Sequence, residues 1–174
     1  MKILNELKQK AKNKRATIVL PEADIDERVM QAVTEIAKQE LCNVIVFGKA
    51  KSYDLSLHNS DRVEIIEINK SPLYQKLASE LYELRKHKGI TKQDALKLIE
   101  NPMYFAMMLV HIGKADGVVA GAKYSTADVL RPALQIIKTK PGKNIVTGGM
   151  LMLKDKANPL FFGDVSLVEQ PTNE

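Results

Sequence analysis

The sequence predicts an α/β fold: a mostly parallel sheet between two layers of helices. Three observations carry this. Short apolar segments near residues 16–20, 44–47, 63–68 and 116–121 alternate with segments of helical periodicity. Turn formers such as Pro21, Gly48, Gly89 and Gly113 close these segments. The 174 residues are 45% hydrophobic, enough for one compact domain with part of a second.

The elements follow in order. Residues 3–14 set Ile3, Leu4, Leu7 and Ala11 at helical spacing among lysines, which predicts a terminal helix laying a stripe on the core. A membrane-surface helix would need a wider stripe and an aromatic anchor. The apolar run at 16–20 is a strand that Pro21 ends. A helix over about 25–40 follows, with Val29, Ala32, Val33, Ile36 and Ala37 as its buried stripe and Asp24 or Asp26 as its cap. Residues 44–47 form a second strand closed by Gly48, residues 49–61 a polar loop, and 63–68 a less buried strand of apolar and acidic residues.

Three helices then run in series. Ser71-Pro72 opens the first, which turns Leu73, Leu77, Leu81 and Leu84 inward and ends on Lys86, His87, Lys88 and Gly89. Thr91 and Asp94 make a capping box for the second. Asn101-Pro102 opens the third, which is apolar all round and therefore buried, with His111 partly buried near its end. Residues 116–121 read as a short central strand. Residues 125–138 read as a helix that Pro132 kinks or restarts. Residues 144–153 and 160–167 read as two strands without a helix between them, and this change of rhythm near 147 marks a domain boundary.

Composition narrows the function. Aromatics are 5% of the chain and Trp is absent, which argues against a base-stacking surface. The net charge of +5 comes from the first fifteen residues, where Lys2, Lys8, Lys10, Lys12, Lys14 and Arg15 face Glu6 alone, so the rest is neutral and nucleic acid is not an expected partner. No run is apolar for 18 residues, no signal peptide is evident, and the lone Cys42 fits a cytoplasmic setting. His58, His87, His111 and Cys42 share no metal-ligand spacing, so no metal site is expected.

The informative place is the turn after 117–121, because open α/β sheets bind ligands at the carboxyl ends of strands and helix N-termini suit phosphate. It reads Gly121-Ala122-Lys123-Tyr124-Ser125-Thr126-Ala127-Asp128, with hydroxyls at Ser125 and Thr126 and charge at Lys123 and Arg131. Ala122 and Tyr124 break the P-loop pattern, and no G-x-G-x-x-G is present. Ser125 with Asp128 also fits a plain capping box. The residues thus define a candidate anion site and no reaction.

These residues resemble the phosphate acetyltransferase family. The most specific match is 116–122 (DGVVAGA) followed by 125–139 (STADVLRPALQIIKT); 82–91 (YELRKHKGIT), Leu20-Pro21-Glu22 with Asp26-Glu27-Arg28, and 161–164 (FFGD) with 170–172 (QPT) also fit. The resemblance implies a three-layer α/β/α fold akin to isocitrate and isopropylmalate dehydrogenases. Residues 1–147 would form the first α/β domain, and 148–174 the incomplete start of a second in which the chain is truncated. It implies reversible acetyl-CoA + phosphate = acetyl phosphate + CoA chemistry, with no metal or redox cofactor and commonly in a homodimer. It assigns Arg28, Arg85 and Arg131 to CoA and phosphate binding, and with them Ser125 and Thr126 on the same turn. Tyr124 stands where the family usually has His. The expected catalytic base lies beyond residue 174, so the short chain is expected to be inactive alone. Phosphate butyryltransferase chemistry and a non-catalytic CoA-binding or assembly module are the alternatives.

Overall fold

The computed structural model describes residues 2–58, 60–143, 145–153, 159–165 and 167. They fall into two compact units, one made of the described residues within 9–138 and one of those within 2–8 and 139–167.

The larger unit is built on a four-stranded parallel sheet of β1 (Thr17–Leu20), β2 (Asn43–Phe47), β3 (Val63–Ile66) and β4 (Gly117–Val118), in the order β3-β2-β1-β4. Ile18 pairs with Val44 on one side and Gly117 on the other; Val44 in turn pairs with Val63. Successive strand residues point to opposite faces, and this period divides the core in two. Val19, Ile45, Phe47 and Ile66 face one layer of helices, while Leu20, Val44 and Val46 face the other.

The thin layer is α2 (Glu27–Gln39), which sets Val29, Met30, Val33 and Ile36 on the sheet. Ala32, expected in that stripe, is exposed. Tyr53 and Leu57 complete this side from the stretch expected to be loop. That stretch instead contains a 3₁₀ turn, Ala50–Ser52, and the one-turn helix α3 (Leu55–His58). The buried Tyr53 hydroxyl donates to the Phe47 carbonyl at 2.5 Å and anchors the stretch. Gly48 permits the tight exit from β2: its φ is +133°, and a Cβ there would lie 3.2 Å from that of Asp24.

The thick layer holds α4 (Tyr74–Arg85), α5 (Lys92–Glu100), α6 (Pro102–His111) and α7 (Thr126–Ile136). Ser71 does not cap α4; it accepts the Leu73 N–H and forms a turn from which the helix starts three residues later. Thr91 and Asp94 form the reciprocal capping box, and Asn101 with Pro102 starts α6. Residues 103–109 are all buried, Phe105 meeting Phe47 edge-on at 5.4 Å between ring centres. His111 is exposed rather than partly buried, because it falls in the last turn where α6 leaves the core. Pro132 does not restart α7, which runs unbroken over Thr126–Ile136.

Three further differences have local reasons. β4 lies at the edge of the described sheet and not at its centre, since only Gly117 and Val118 stay on β1 before the chain turns away. β3 stops at Ile66, where a 3₁₀ turn over Ile68–Lys70 begins. In α1 (Lys2–Lys14), Leu4 and Leu7 are 37% and 44% exposed, so the expected stripe is not buried; four apolar residues diluted by lysines make too narrow a face.

In the smaller unit, β5 (Gly149–Leu153) and β6 (Pro159–Gly163) pair antiparallel from Gly149↔Gly163 to Leu153↔Pro159. Both strands are shorter than expected: 145–148 are irregular, and Asn144 and Ser166 lie outside the described residues.

Candidate functional site

The strand order defines where a ligand belongs. From β1 the chain winds outward through β2 to β3, then crosses back to place β4 on the other side of β1. The carboxyl ends of β1 and β4 therefore diverge and leave a crevice, the position where open α/β sheets bind ligands. Two loops meet there, residues 21–26 after β1 and residues 119–125 after β4.

Glu22 joins the two loops. The side chain is 1% exposed. Its Oε2 accepts the Gly121 and Ala122 N–H groups at 2.7 and 3.1 Å, and its Oε1 accepts those of Lys123 and Tyr124 at 2.5 and 2.8 Å. Four consecutive main-chain donors around one anion form a nest, opened by Gly121 at φ +109°. Burial pushes the Glu22 carboxyl up and the four donors pull it down, leaving its pKa below the ordinary 4.5.

Asp26 makes the next link. It caps α2 by accepting the Arg28 and Val29 N–H groups at 2.9 and 3.4 Å. Its two oxygens also take the Arg28 guanidinium in a fork, Nε at 3.0 Å and Nη2 at 2.7 Å. The hydrogen bond to Arg28 dominates and lowers the Asp26 pKa from 3.8 to about 2. Arg28 Nη2 reaches across to the Ala122 carbonyl at 3.0 Å, while its side chain stays 73% exposed. Arg28 is thus held at one edge and open at the other. With Leu20, Glu22, Val29, Val119 and Ala122 it lines a cavity of about 280 Å³.

Ser125 and Thr126 begin α7. Ser125 accepts the Asp128 N–H at 3.2 Å, and Asp128 Oδ2 accepts both the Ser125 N–H at 3.2 Å and its hydroxyl at 2.6 Å. The capping reading of Ser125 is therefore realised, and its hydroxyl proton is already engaged. Thr126 is the exposed first helical residue. The half-buried Tyr124 packs its ring against the thick helical layer, which makes it a packing residue.

Arg131 stands at the middle of α7, and Arg85, the last residue of α4, reaches that helix farther along. Arg85 Nη1 approaches the Gln135 carbonyl at 3.5 Å, and the Tyr104 hydroxyl donates to Gln135 Oε1 at 2.9 Å. Burial raises the Tyr104 pKa, and the charges of Arg85 and Arg131 oppose that rise. Ten residues separate Ser125 from Gln135, roughly 15 Å along the axis. The structure thus places Arg28 beside the Ser125 turn at the start of α7, Arg131 at the middle of that helix and Arg85 near its end.

Sequence reasoning did not single out Glu22 as a site residue, nor Tyr104 and Gln135. A carboxylate directly after Pro21 at the end of β1 was the available signal, since a glycine turn after a neighbouring strand offers it converging N–H groups. His58 contacts the Ala50 carbonyl at 2.7 Å, whereas His87 and His111 sit exposed on separate helix ends.

The sequence over residues 2–174 matches the family model described as "Phosphate acetyl/butaryl transferase". The chain is 40% identical over 173 residues to a phosphate acetyltransferase of Helicobacter pylori, covering 95% of this chain and 32% of that protein. It is 41% identical over 172 residues to one of Staphylococcus aureus, covering 95% and 51%. Among solved structures, a phosphotransacetylase from Staphylococcus aureus superposes with a TM-score of 0.83 at 38% identity, covering 98% of this chain and 52% of that one. A phosphotransacetylase from Streptococcus pyogenes gives 0.81 at 35% identity, covering 94% and 50%. The chain spans from about a third to about half the length of these relatives.

Proposed function

Because the chain belongs to the phosphate acetyl/butyryl transferase family, we propose that it supplies the CoA- and phosphate-binding wall for reversible acyl transfer between CoA and phosphate. The observation that supports this most is the arrangement of arginines along α7. Arg28 lies beside the turn that opens the helix, Arg131 stands at its middle, and Arg85 approaches the Gln135 carbonyl near its end. CoA is an extended polyanion with separated phosphate groups, and arginines from three helices spaced along α7 suit it.

In the transfer, the CoA thiolate attacks the acyl carbonyl of the acyl phosphate and phosphate departs. Arginine and hydroxyl groups at the crevice stabilise charge on the phosphate oxygens. Glu22, Asp26 and Asp128 each hold a pKa below the ordinary carboxylate value through hydrogen bonds. They are weak bases toward a thiol, so the reading gives them structural tasks and assigns no general base among them. The transfer changes no oxidation state, and the reading includes no metal or redox cofactor. A homodimer in the cytoplasm is part of it. No helix among the described residues is long and apolar enough to cross a membrane.

Titration calorimetry with CoA tests the binding wall. Arg131→Ala is expected to weaken CoA about tenfold or more, the scale of one charge-assisted hydrogen bond. Equal affinity in wild type and Arg131→Ala would overturn the assignment. Assays with acetyl-CoA and butyryl-CoA, following acyl phosphate formation, separate the acetyl from the butyryl reading.

A further inference from the structure

We propose that Glu22 is a positioning residue that closes the main-chain nest at residues 121–124 and so aims Ser125, Thr126 and Arg28 at the ligand. The inference deepens the binding reading above and rests on it. A run of main-chain N–H groups converging on one point attracts an anion, and in this crevice an incoming phosphate would compete for it. The chain fills that point itself. Glu22 is 1% exposed and holds all four donors with its two oxygens, so no donor of the nest faces the crevice. The ligand is left the outward groups, which are the first turn of α7 and the arginines.

Ala122 is the hub of the device. Its N–H goes to Glu22 and its carbonyl accepts Arg28 Nη2, while Asp26 grips the rest of that guanidinium. Two carboxylates four residues apart on the first loop therefore fix the second loop and the arginine between them. Loss of Glu22 releases the Ala122 carbonyl that orients Arg28 and frees the turn leading into Ser125. An apolar side chain in its place would leave the four N–H groups without their acceptor.

The test uses the 174-residue chain with Glu22→Ala and Glu22→Gln. Amide hydrogen exchange is read at Gly121, Ala122, Lys123 and Tyr124, and CoA affinity by calorimetry, each with and without excess formate. In Glu22→Ala the four amides are expected to exchange about tenfold faster or more, and CoA to bind about tenfold more weakly. Formate, a carboxylate small enough for the vacated space, is expected to restore both in Glu22→Ala and to change neither in wild type. Glu22→Gln keeps the volume but offers one oxygen; it is expected to show faster exchange with no formate response, and it carries the test if Glu22→Ala does not fold. Faster exchange with unchanged CoA affinity would overturn positioning and leave a structural clamp. If wild type binds no CoA, the functional reading fails by itself; the clamp is then judged by exchange, and unchanged protection of the four amides in Glu22→Gln overturns it.

Discussion

Two carboxylates on the loop after β1 do different work because their surroundings differ. Glu22 is enclosed and neutralised by main-chain dipoles; Asp26 is neutralised by the guanidinium of Arg28 and doubles as the α2 cap. Both fold with a lowered pKa, so their contributions to stability are present above the unfolded value and are lost as pH falls through the folded one. For Asp26 that window runs from 3.8 down to about 2. Asp26→Asn is expected to flatten the dependence of the urea midpoint on pH across this range; a slope equal to wild type would contradict the ion pair. Gly48 is a second residue-scale test. Gly48→Ala places a Cβ 3.2 Å from that of Asp24 at φ +133°, and urea unfolding is expected to show a loss of at least about 1 kcal/mol.

At the scale of elements, α6 is the member on which the thick layer is assembled, with its residues from Met103 to Leu109 buried against β-strand and helix side chains. Phe105→Ala removes the ring that meets Phe47 and is expected to cost roughly 3–5 kcal/mol in urea unfolding. Thr91→Ala removes one half of a capping box on an exposed turn and is expected to cost about 1 kcal/mol. These features were legible in the sequence because they are local: Thr91 with Asp94, Ser125 with Asp128, and Asn101-Pro102 act on N–H groups within a few residues. Features that depend on distant partners were not. The edge position of β4 follows from its crossing back beside β1, and the engagement of Glu22 spans about a hundred residues of chain. The narrow stripe of α1 had the right period and too little area to be buried. Ser71 shows the same limit in miniature, since its hydroxyl formed a turn instead of capping the helix directly.

At the scale of the molecule, the topology of the sheet and the placement of the candidate residues converge on one place. The strand order puts a crevice between β1 and β4, and the residues that carry the family resemblance, Arg28, Ser125 and Arg131 among them, lie around it or along the helix that leaves it. Net charge gave no hint of this, because the excess of +5 resides in the first fifteen residues and the candidate arginines are scattered in a neutral body. The central claim is that this crevice and the adjoining face of α7 bind the polyanion CoA. The most direct measurement is a titration of the isotope-labelled chain with CoA, followed by amide chemical shifts. The account predicts that the largest changes fall on residues 121–131 and on Arg28 and Arg85. Changes concentrated at the β3 edge, where Lys114 pairs with Glu64 at 2.9 Å, or no saturable change at all, would contradict it.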